Sequence, residues 1–495
     1  MNKIFILKTT AVLCSVVMSQ VAGAAGDVQK MSYDVVVVGA GGTGVAAAAA
    51  AYEHGAKVVL LEKLPFIGGS SSFSGGAIAG GDTNAQKRAG MTDTTSEGYA
   101  NIWLDDQKRS FPGGDPSMPD EKRVRAIVNE FGVTINWMED VIGHKFAKPR
   151  PFGYGGPNYA HGAAESPVPT NGRGSYPGGG QYVIKSFKAY LDKANVPVLT
   201  STPVDDLILN SKNEVVGVKA HKGDQQIEIS AKAVVLATGG FARNKEMLER
   251  LVPIYAKYAD VSVATMGATG DGIKMAVRAG ADEYKDAWVI GLYAGSPVKA
   301  LNATFSWNGK YKKSLFVNEK GERFVNEDLP YVSDNIAAQG AAWAITDSKD
   351  PKRVAPLNAY NDPKIAVKGE TWAELAKAMG VPPKNLEQTM NQYNKACETG
   401  VDPLLKKPKE LLIPYSKPPF YAVRVIPQTG GTIGGVKVNE KFQVLRKDGS
   451  VIKGLYAGGE VQNRPYYNRV YTSGSGMGLA VTSGRLAGTY AAQEK

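Results

Sequence analysis

One stretch of this chain, residues 33–63, constrains the fold more than any other. It opens with the four valines Val35–Val38, an unbroken apolar run that is typical of a strand buried on both faces of a parallel sheet. An alanine-rich helix and a second apolar strand follow, and Glu62 stands at the end of that strand. The turn between the first strand and the helix has the G-x-G-x-x-G spacing, formed by Gly39, Gly41 and Gly44.

This strand–helix–strand pattern predicts a dinucleotide-binding unit. The first glycine permits a tight turn, the second lets a pyrophosphate approach the backbone, and the third lets the helix pack against the strand. Free N–H groups in the first helical turn can face phosphate, and Glu62 can accept hydrogen bonds from both ribose hydroxyls. The alternative is a purely structural unit that binds nothing, because glycine-rich turns are common.

Further glycine-rich segments lie along the chain. The backbone amides and hydroxyls of the loop 68–76 can wrap a pyrophosphate or the edge of a flat ring, or the loop is a plain surface turn. Asp271, in the segment 267–272, either caps the following helix or bonds a ribityl or ribose hydroxyl. A final helix over about 478–492 is expected to direct its N-terminus at an electron-accepting group such as the carbonyl edge of a flavin.

The N-terminus has the features of a secretory signal over residues 1–25. Lys3 and Lys8 precede an apolar core, and small residues follow at the expected cleavage site, 22–24. No later stretch has the ~20 uninterrupted apolar residues of a membrane helix, so a soluble, periplasmic protein is expected.

Cys14 lies within the signal and leaves only Cys397, which excludes an internal disulfide, a C-x-x-C-H haem site, an iron–sulfur cluster and a cysteine-rich zinc site. No metal site is predicted.

The formal net charge of +11 indicates either an ordinary basic surface or attraction to an anionic substrate or acidic partner. No Lys/Arg run is interleaved with aromatic residues, so nucleic acid is not an expected partner.

The change of sequence character predicts a first domain in two parts, 31–286 and 429–495, with a second domain, 287–428, inserted between them. The Pro-, Gly- and Tyr-rich loop 146–180 is a candidate substrate entrance through Arg150, Tyr154, His161, Arg173 or Tyr176.

Four segments together carry a family resemblance: the N-terminal fingerprint with Glu62, ATGGF at 237–241, GATGDG at 267–272 and GLYAGGE at 454–460. Their order and spacing resemble the FAD-binding flavoproteins of the fumarate reductase/succinate dehydrogenase family, over essentially all of the mature chain. The resemblance implies an α/β fold: a Rossmann-like FAD-binding domain, three-layered with a mostly parallel sheet, and an inserted α+β capping domain. It extends to the soluble periplasmic branch, which includes reductases of fumarate, urocanate and acrylate.

The resemblance implies FAD as the cofactor. Membrane-bound members attach the flavin through a histidine after the first strand–helix–strand unit, and residues 64–81 contain none, so FAD is expected to be non-covalent. The residues predicted to contact it are Gly39, Gly41, Gly42, Gly44, Glu62, Lys63, Gly69, Ser70, Ser71, Gly75, Gly76, Val204, Ala237, Thr238, Gly239, Asp271, Glu460, Gly476 and Leu479.

The resemblance also implies hydride transfer from the flavin to one carbon of an activated C=C bond and protonation of the other. In fumarate reductases the proton comes from an arginine four residues after the glutamate of an RFxNE motif. Here that motif is 323–327, and the matching residue is Tyr331. A tyrosine after Pro330 is similar to the arrangement in the flavin 3-ketosteroid Δ1-dehydrogenases. The alternative for Tyr331 is a packed aromatic side chain.

Histidines that bind carboxylate in fumarate reducers are missing, from the segment 430–435 and between Asp286 and Asn302. Arg469, however, matches the family's YNR arginine, whose planar fork holds a substrate carboxylate; the alternative is a structural salt bridge. Tyr467 and Tyr471 are further candidates for contacting the substrate. Because this chain lacks those histidines but keeps the aromatic residues, a larger and more apolar monocarboxylate is favoured over fumarate as the substrate.

Three functions remain open from the sequence. The first is a periplasmic FAD-dependent reductase of an α,β-unsaturated carboxylate in anaerobic respiration, with Arg469 holding the carboxylate and Tyr331 giving the proton. Without a haem motif, its electrons would come from a separate c-type cytochrome. The second is a dehydrogenase of a ketosteroid-like or cyclic ketone, which would leave the Arg469 charge unpaired. The third is a non-catalytic flavin electron-transfer protein.

Overall fold

The computed structural model describes residues 28–151, 157–166, 176–298, 301, 310–329, 332–472 and 474–494. The predicted signal, residues 1–25, lies outside this part of the chain. The strands are β1 (Gln29–Ser32), β2 (Val35–Val38), β3 (Val58–Leu61), β4 (Ile78–Ala79), β5 (Ala160–His161), β6 (Val198–Leu199), β7 (Val204–Leu209), β8 (Val215–Lys222), β9 (Gln225–Ser230), β10 (Ala233–Leu236), β11 (Trp288–Gly295), β12 (Leu315–Asn318), β13 (Ala342–Asp347), β14 (Ala366–Gly369), β15 (Phe420–Arg424), β16 (Ile426–Ile433), β17 (Gln443–Leu445) and β18 (Val451–Ala457).

The α-helices of the same residues are α1 (Gly42–Glu53), α2 (Asn84–Arg88), α3 (Ser96–Gln107), α4 (Glu121–Asp140), α5 (Gly179–Lys193), α6 (Lys245–Leu251), α7 (Asp271–Arg278), α8 (Ser333–Ala337), α9 (Pro351–Val354), α10 (Trp372–Met379), α11 (Pro383–Thr399) and α12 (Ser475–Ala492). Short 3-10 turns include Gly69–Phe73, Pro253–Val261 and Arg464–Tyr466. The molecule is therefore a mixed α/β protein with several sheets. None of the helices described is long and apolar enough to span a membrane.

The largest sheet has six strands in the order β17-β18-β10-β2-β3-β6, and all neighbours are parallel except β17 and β18. Strands β2, β3 and β10 are buried along their whole length, which explains their uninterrupted apolar sequences. Helices α1 and α12 pack together beside this sheet at very short range. A Cβ on Gly484 would lie 2.2 Å from the Thr43 carbonyl oxygen, so the alanines and glycines of these helices are what permit the contact.

A second sheet corrects one expectation. Residues 27–31 read as a short linker, but Gln29–Ser32 form β1, which pairs in parallel with β9 in the sheet β1-β9-β8-β7. A four-residue segment with little apolar character gives no strand signal by itself, and backbone pairing with β9 supplies the hydrogen bonds. The apolar and β-branched runs over 204–210, 215–222 and 226–230 predict a β-meander, which is confirmed as β7, β8 and β9.

The middle of the chain contains an antiparallel sheet in the order β12-β13-β15-β14, on which α10 and α11 pack through a separate hydrophobic cluster. Strands β11 and β16 form an antiparallel pair, with Trp288 opposite Ile433. The expected boundary at residues 428 and 429 falls inside β16. This pair borders the cavity described below and brings the start and the end of the middle segment side by side.

Two buried histidines predict a loss of stability in acid. His161 is fully buried, so it is not an exposed loop residue; its Nδ1 lies 2.9 Å from the Tyr159 carbonyl oxygen and its Nε2 lies 2.7 Å from Thr83 Oγ1. His144 Nδ1 lies 2.9 Å from Ser186 Oγ. Burial lowers the pKa of each ring to about 4.

The folded pKa values lie below the unfolded value, so the unfolded chain binds protons first as the pH falls. We expect the free energy of unfolding to drop by about 2 kcal/mol per histidine between neutral pH and about pH 5. Urea unfolding of the FAD-loaded protein at both pH values measures this. His161→Gln removes one titrating ring and should remove about half of the drop. An unchanged drop in this variant would contradict the assignment.

Candidate active site

A cavity of about 600 Å³ lies at the carboxyl ends of β2, β3 and β10, where parallel strands typically bind ligands. Of the residues predicted to bind the cofactor, all line this cavity except Gly44 and Gly76. The structure therefore brings together segments that lie far apart in the sequence. Tyr467 and Tyr471 also line the cavity, whereas Arg469 does not.

The N-terminus of α1 faces the cavity, and glycines make its approach possible. Gly39 has φ +96°, and a Cβ on Gly44 would lie 1.7 Å from the Gly39 carbonyl oxygen. Gly44 thus serves packing between strand and helix. The backbone N–H of Gly42 donates to Ser71 Oγ at 3.1 Å, which holds the Gly69–Phe73 turn over the start of the helix. The sequence allowed two interpretations of this turn, a ligand-binding loop or a plain surface turn. In the structure the turn lines the cavity.

Gly76 also serves packing. It has φ +79°, and a Cβ there would lie 2.5 Å from the backbone of Gly179, at the start of α5. Glycine therefore lets the loop 68–76 lie directly against that helix.

Glu62 is buried at the end of β3. Its Oε2 accepts a hydrogen bond from the Ala40 N–H at 2.9 Å, and its Oε1 accepts one from the Leu64 N–H at 2.9 Å. Each carboxylate oxygen has a second lone pair. The backbone thus fixes the orientation of the carboxylate on the cavity wall and leaves capacity for ligand hydroxyls.

Lys63 and Asp271 form an ion pair on the same wall. The Lys63 ammonium lies 2.6 Å from Asp271 Oδ2 and also donates to Thr269 Oγ1 at 2.6 Å. Burial raises the pKa of Asp271, but Lys63 and further donors lower it by more, so the pKa lies below its usual range. The expectation that Asp271 caps a helix is wrong: α7 begins at Asp271 itself, and the cap position is Gly270, with φ +73°.

Glu460 is a cavity-lining carboxyl group with no ion-pair partner among the residues described. It accepts a hydrogen bond from the Thr432 N–H at 2.9 Å. Burial raises the pKa of Glu460 to about 7, while hydrogen bonds from Thr432 and Gly240 act in the opposite direction. Near neutral pH this group exchanges readily between carboxylic acid and carboxylate.

The N-terminus of α12 forms another wall. The helix begins at Ser475, earlier than expected, and Gly476, Met477 and Leu479 from its first turns line the cavity. Tyr467 OH lies 2.6 Å from Ser475 Oγ, and Tyr471 OH accepts a hydrogen bond from the Gly476 N–H at 3.2 Å. Both phenols therefore help to fix the start of this helix. Its free N–H groups and dipole favour electron-rich atoms at this end of the cavity.

Strand β11 supplies a cavity wall that no sequence motif predicted. Ile290, Leu292 and Tyr293 line the cavity, and Gly430 of β16 lies beside them. No motif marks these residues, because only the pairing of β11 with β16 places them beside the cavity. These side chains make this part of the cavity apolar.

Arg469 lies outside the cavity lining, on the face of an indole ring. Its Cζ is 4.3 Å from the centroid of the Trp288 ring, and its Nη1 donates to the Pro112 carbonyl oxygen at 2.9 Å. The Phe111 ring stacks on Trp288 with centroids 5.5 Å apart. The Arg469 side chain is 18% exposed, so most of it is shielded from bulk water.

Charge is unbalanced around Arg469. Asp286 is an ion-pair partner of the buried Arg464 and also lies 3.4 Å from Arg469 Nη2. One carboxylate thus faces two guanidinium groups. In addition, Arg469 Nε is buried and has no hydrogen-bond partner among the residues described. A partly buried cation with a donor that has no hydrogen-bond partner is costly unless an anion neutralises it.

Tyr331 lies outside the residues that the structure describes, as do Tyr154 and Arg173 of the loop 146–180. The RFxNE motif before Tyr331 is held firmly. Arg323 donates to both oxygens of Asp402, at 3.1 and 2.9 Å, and Glu327 Oε1 accepts a hydrogen bond from the Phe316 N–H at 2.7 Å. Lys407 lies 3.1 Å from Glu327 Oε2. This buried ion network fixes the backbone four residues before Tyr331.

The cavity fits FAD in size and in the chemistry of its walls. Two helix N-termini, α1 and α12, supply free N–H groups for phosphate and for the carbonyl edge of the flavin. Gly39, where a Cβ would lie 2.6 Å from the Ala237 carbonyl oxygen, keeps the backbone open beside the cavity. Within the described residues no group of three or more histidine, cysteine and acidic side chains could hold a metal ion.

Residues 34–477 match the family described as FAD binding domain, and the chain belongs to this family, the FAD-binding flavoproteins of the fumarate reductase/succinate dehydrogenase type. FAD is therefore its cofactor, and the protein is an FAD-dependent oxidoreductase that acts on CH–CH bonds.

Three curated relatives are similar over most of the chain. A fumarate reductase (cytochrome) from Shewanella frigidimarina is 30% identical, across 93% of this chain and 77% of the relative. A urocanate reductase from Eggerthella lenta is 32% identical, across 86% and 69%. A vinyl phenol reductase from Lactiplantibacillus plantarum is 29% identical, across 93% and 97%.

Two solved structures share the fold. The open conformation of a flavocytochrome c3 fumarate reductase has a TM-score of 0.70 and 27% identity, across 94% of this chain and 78% of that chain. A 3-ketosteroid Δ1-dehydrogenase from Sterolibacterium denitrificans has a TM-score of 0.75 and 23% identity, across 94% and 100%.

Proposed function

We propose that this protein is a periplasmic reductase of α,β-unsaturated monocarboxylates. Bound reduced FAD supplies the hydride for the β-carbon. Arg469 holds the substrate carboxylate and polarises the alkene, and Tyr331 donates the proton to the α-carbon. The main support for this proposal is that Arg469 and Arg464 share the single carboxylate of Asp286. A substrate anion neutralises the remaining positive charge of the two guanidinium groups, whereas a neutral substrate does not.

The surroundings of Arg469 support an apolar acid. Trp288 and Phe111 form a stacked aromatic pair beside the guanidinium, and Leu292 and Tyr293 contribute side chains to the nearby cavity wall. The segment 430–435 belongs mainly to β16 and contains no histidine for a second carboxylate. An aryl or branched monocarboxylate therefore suits this site better than fumarate. A urocanate reductase among the relatives acts on an acid with a ring.

Electrons are expected from a separate carrier. The chain contains no C-x-x-C-H haem motif, and an exported protein does not meet the NADH of the cytoplasm. A small c-type cytochrome of the periplasm is the proposed donor for anaerobic respiration. We assign residues 31–286 and 429–495 to FAD binding and residues 287–428 to a capping domain.

The main competing function is a dehydrogenase of a ketosteroid-like or cyclic ketone. It would require Arg469 to keep its excess charge beside a neutral substrate. The third candidate is an electron-transfer protein without a substrate of its own.

One experiment separates the three functions. The flavin of the purified protein is reduced with dithionite without oxygen, and its reoxidation is followed with trans-cinnamate, urocanate, acrylate and fumarate, and with neutral enones and 4-vinylphenol. We expect rapid reoxidation by cinnamate or urocanate and slow reoxidation by fumarate. Reoxidation by neutral compounds alone would overturn the proposal. Reoxidation by none would favour the electron-transfer protein.

Tyr331→Phe tests the proton donor. We expect kcat for the best acid to fall by about 10²–10⁴-fold, the usual contribution of a general acid, with FAD content and KM little changed. Tyr190→Phe is the matched control, because Tyr190 packs on Tyr52 and does not line the cavity. A Tyr331→Phe enzyme with full turnover would remove Tyr331 from the mechanism.

The flavin is expected to be non-covalent. No histidine or cysteine occurs among the described residues that line the cavity. Acid precipitation of the protein should therefore leave all of the yellow colour in the supernatant. A yellow pellet after washing would contradict this.

A further inference from the structure

Asp334 is a half-buried carboxyl group next to the Arg469 region that the proposed mechanism does not use. It lies on α8, and its Oδ1 accepts hydrogen bonds from the Tyr255 hydroxyl and from Trp288 Nε1, the latter at 3.1 Å. Trp288 is also the ring on which the Arg469 guanidinium lies, 4.3 Å from its centroid. Asp334 and Arg469 are thus joined through one indole side chain.

The position of Asp334 is well fixed. The neighbouring Ser333 Oγ lies 2.8 Å from the Tyr293 carbonyl oxygen and 2.9 Å from that of Gln428, which ties α8 to both β11 and β16. Gly291 leaves room for the carboxyl group, because a Cβ there would lie 2.9 Å from Asp334 Oδ1 and 2.7 Å from the Tyr255 hydroxyl oxygen. A larger residue at position 291 would collide with both groups, so the glycine permits this close contact between β11 and α8.

Few charged groups face Asp334. Tyr255 approaches from the Pro253–Val261 turn, Trp288 from β11 and Arg469 from the segment before α12, while β16 carries no titratable side chain. Burial raises the pKa of Asp334 to about 7, and Tyr255, Trp288 and Arg469 counteract this only in part. Burial also raises the pKa of Tyr255 well above its usual value, so its hydroxyl remains a donor.

The net charge of the cluster around Arg469 depends on whether Asp334 is ionised. Counting only groups within ion-pair distance, Arg464, Arg469 and Asp286 leave one net positive charge, and Asp115 attracts Arg464 from farther away. With Asp334 protonated, that charge is available to an anion. With Asp334 ionised, the cluster is already neutral, and an added carboxylate makes it negative, which is unfavourable in a buried site.

We propose that Asp334 takes up a proton when a carboxylate binds at Arg469, so that its protonation state sets the affinity of the site for anions. This rests on the proposed function. Asp334 acts through Arg469 and is a positioning residue. An O–H bond forms on the Asp334 carboxylate with a proton from solvent, and it breaks when the anion leaves and the proton returns to solvent; no bond between heavy atoms changes.

The sign of the pH dependence follows. If only the protonated form binds well, the apparent Kd rises as the protonated fraction falls. For a group that titrates near neutrality, Kd should rise about tenfold between pH 6 and pH 8. The ligand carboxylate is ionised across this range and contributes nothing to the change.

The test is calorimetric titration of the oxidised FAD-loaded protein with trans-cinnamate, without a reductant, at pH 6 and pH 8. Two buffers of different ionisation enthalpy report the protons taken up on binding. We expect the roughly tenfold rise in Kd and close to one proton taken up near pH 8. Cinnamamide is the matched neutral ligand and should show neither effect.

Asp334→Asn keeps the shape and an acceptor for Tyr255 and Trp288 but cannot ionise. Its Kd for cinnamate should be the same at both pH values and close to that of the wild type at pH 6, with no proton uptake. Glu460 also titrates near neutrality, so a variant that keeps the pH dependence would overturn the assignment to Asp334. A wild type without pH dependence would overturn it as well.

Tyr255→Phe provides a second test if Asp334→Asn does not retain FAD. Losing the hydroxyl donor should move the midpoint of the Kd profile to higher pH, and an unmoved midpoint would count against Asp334. Failure of the proposed function has a different result. In that case cinnamate would bind to none of these proteins at either pH.

Discussion

Arg469→Ala is expected to lower kcat/KM for an unsaturated carboxylate by about 10²–10³-fold, the value of a charge-assisted contact in a largely buried site. KM should rise and kcat should fall together, because the carboxylate is held in both the ground and the transition state. A neutral alkene acceptor, if it reacts at all, should be affected far less. Steady-state kinetics with dithionite-reduced methyl viologen as electron donor measure both constants.

Arg88→Ala is the matched control for Arg469→Ala. It also removes a guanidinium that pairs with a carboxylate, Glu139, but its side chain is 57% exposed. Its kinetics should equal those of the wild type. Arg469→Lys adds information, since it keeps the charge without the planar fork and should recover only part of the loss. If Arg469→Ala retained full kcat/KM for acids, the guanidinium would serve only a structural salt bridge with Asp286. The proposed substrate class would then be wrong.

Gly44→Ala should cost the protein both stability and FAD. The new Cβ would lie 1.7 Å from the Gly39 carbonyl oxygen, so either β2 or α1 must move. We expect the free energy of unfolding of the apoprotein to drop by about 3 kcal/mol, the upper range for overpacking. The Kd for FAD should rise by about 10²-fold if a similar free energy is lost from binding. Urea unfolding and quenching of flavin fluorescence measure the two effects.

Gly41→Ala separates packing from cofactor contact. Gly41 has φ −74°, which any residue adopts, and the nearest atom to a Cβ there, the Gly68 carbonyl oxygen, is 4.0 Å away. The stability of the apoprotein should change by less than about 0.5 kcal/mol. FAD binding should still weaken, because Gly41 lines the cavity. Equal stability of Gly44→Ala and Gly41→Ala would contradict the packing role of Gly44.

Local sequence determined the nucleotide-binding framework of this protein. The apolar runs of β2, β3 and β10 have no polar alternation because both faces of those strands are buried, and the glycine spacing follows from contacts within one strand–helix turn. Such interactions span few residues, so they leave a readable pattern. Nearly all of the residues that the family resemblance predicts to contact the cofactor line the cavity, and the exceptions, Gly44 and Gly76, serve packing.

The charge cluster beside the cavity was decided by tertiary structure alone. Asp286 meets Arg469 across 183 positions of sequence, and Asp334 meets Trp288 across 46. Neither contact has a motif, since an aspartate in a loop or a short helix has the same local sequence whether it faces water or a guanidinium. Only the pairing of β11 with β16 and the docking of α8 on both strands bring these groups together and partly bury them. Desolvation is what raises the pKa of Asp334, and desolvation is a property of the folded chain.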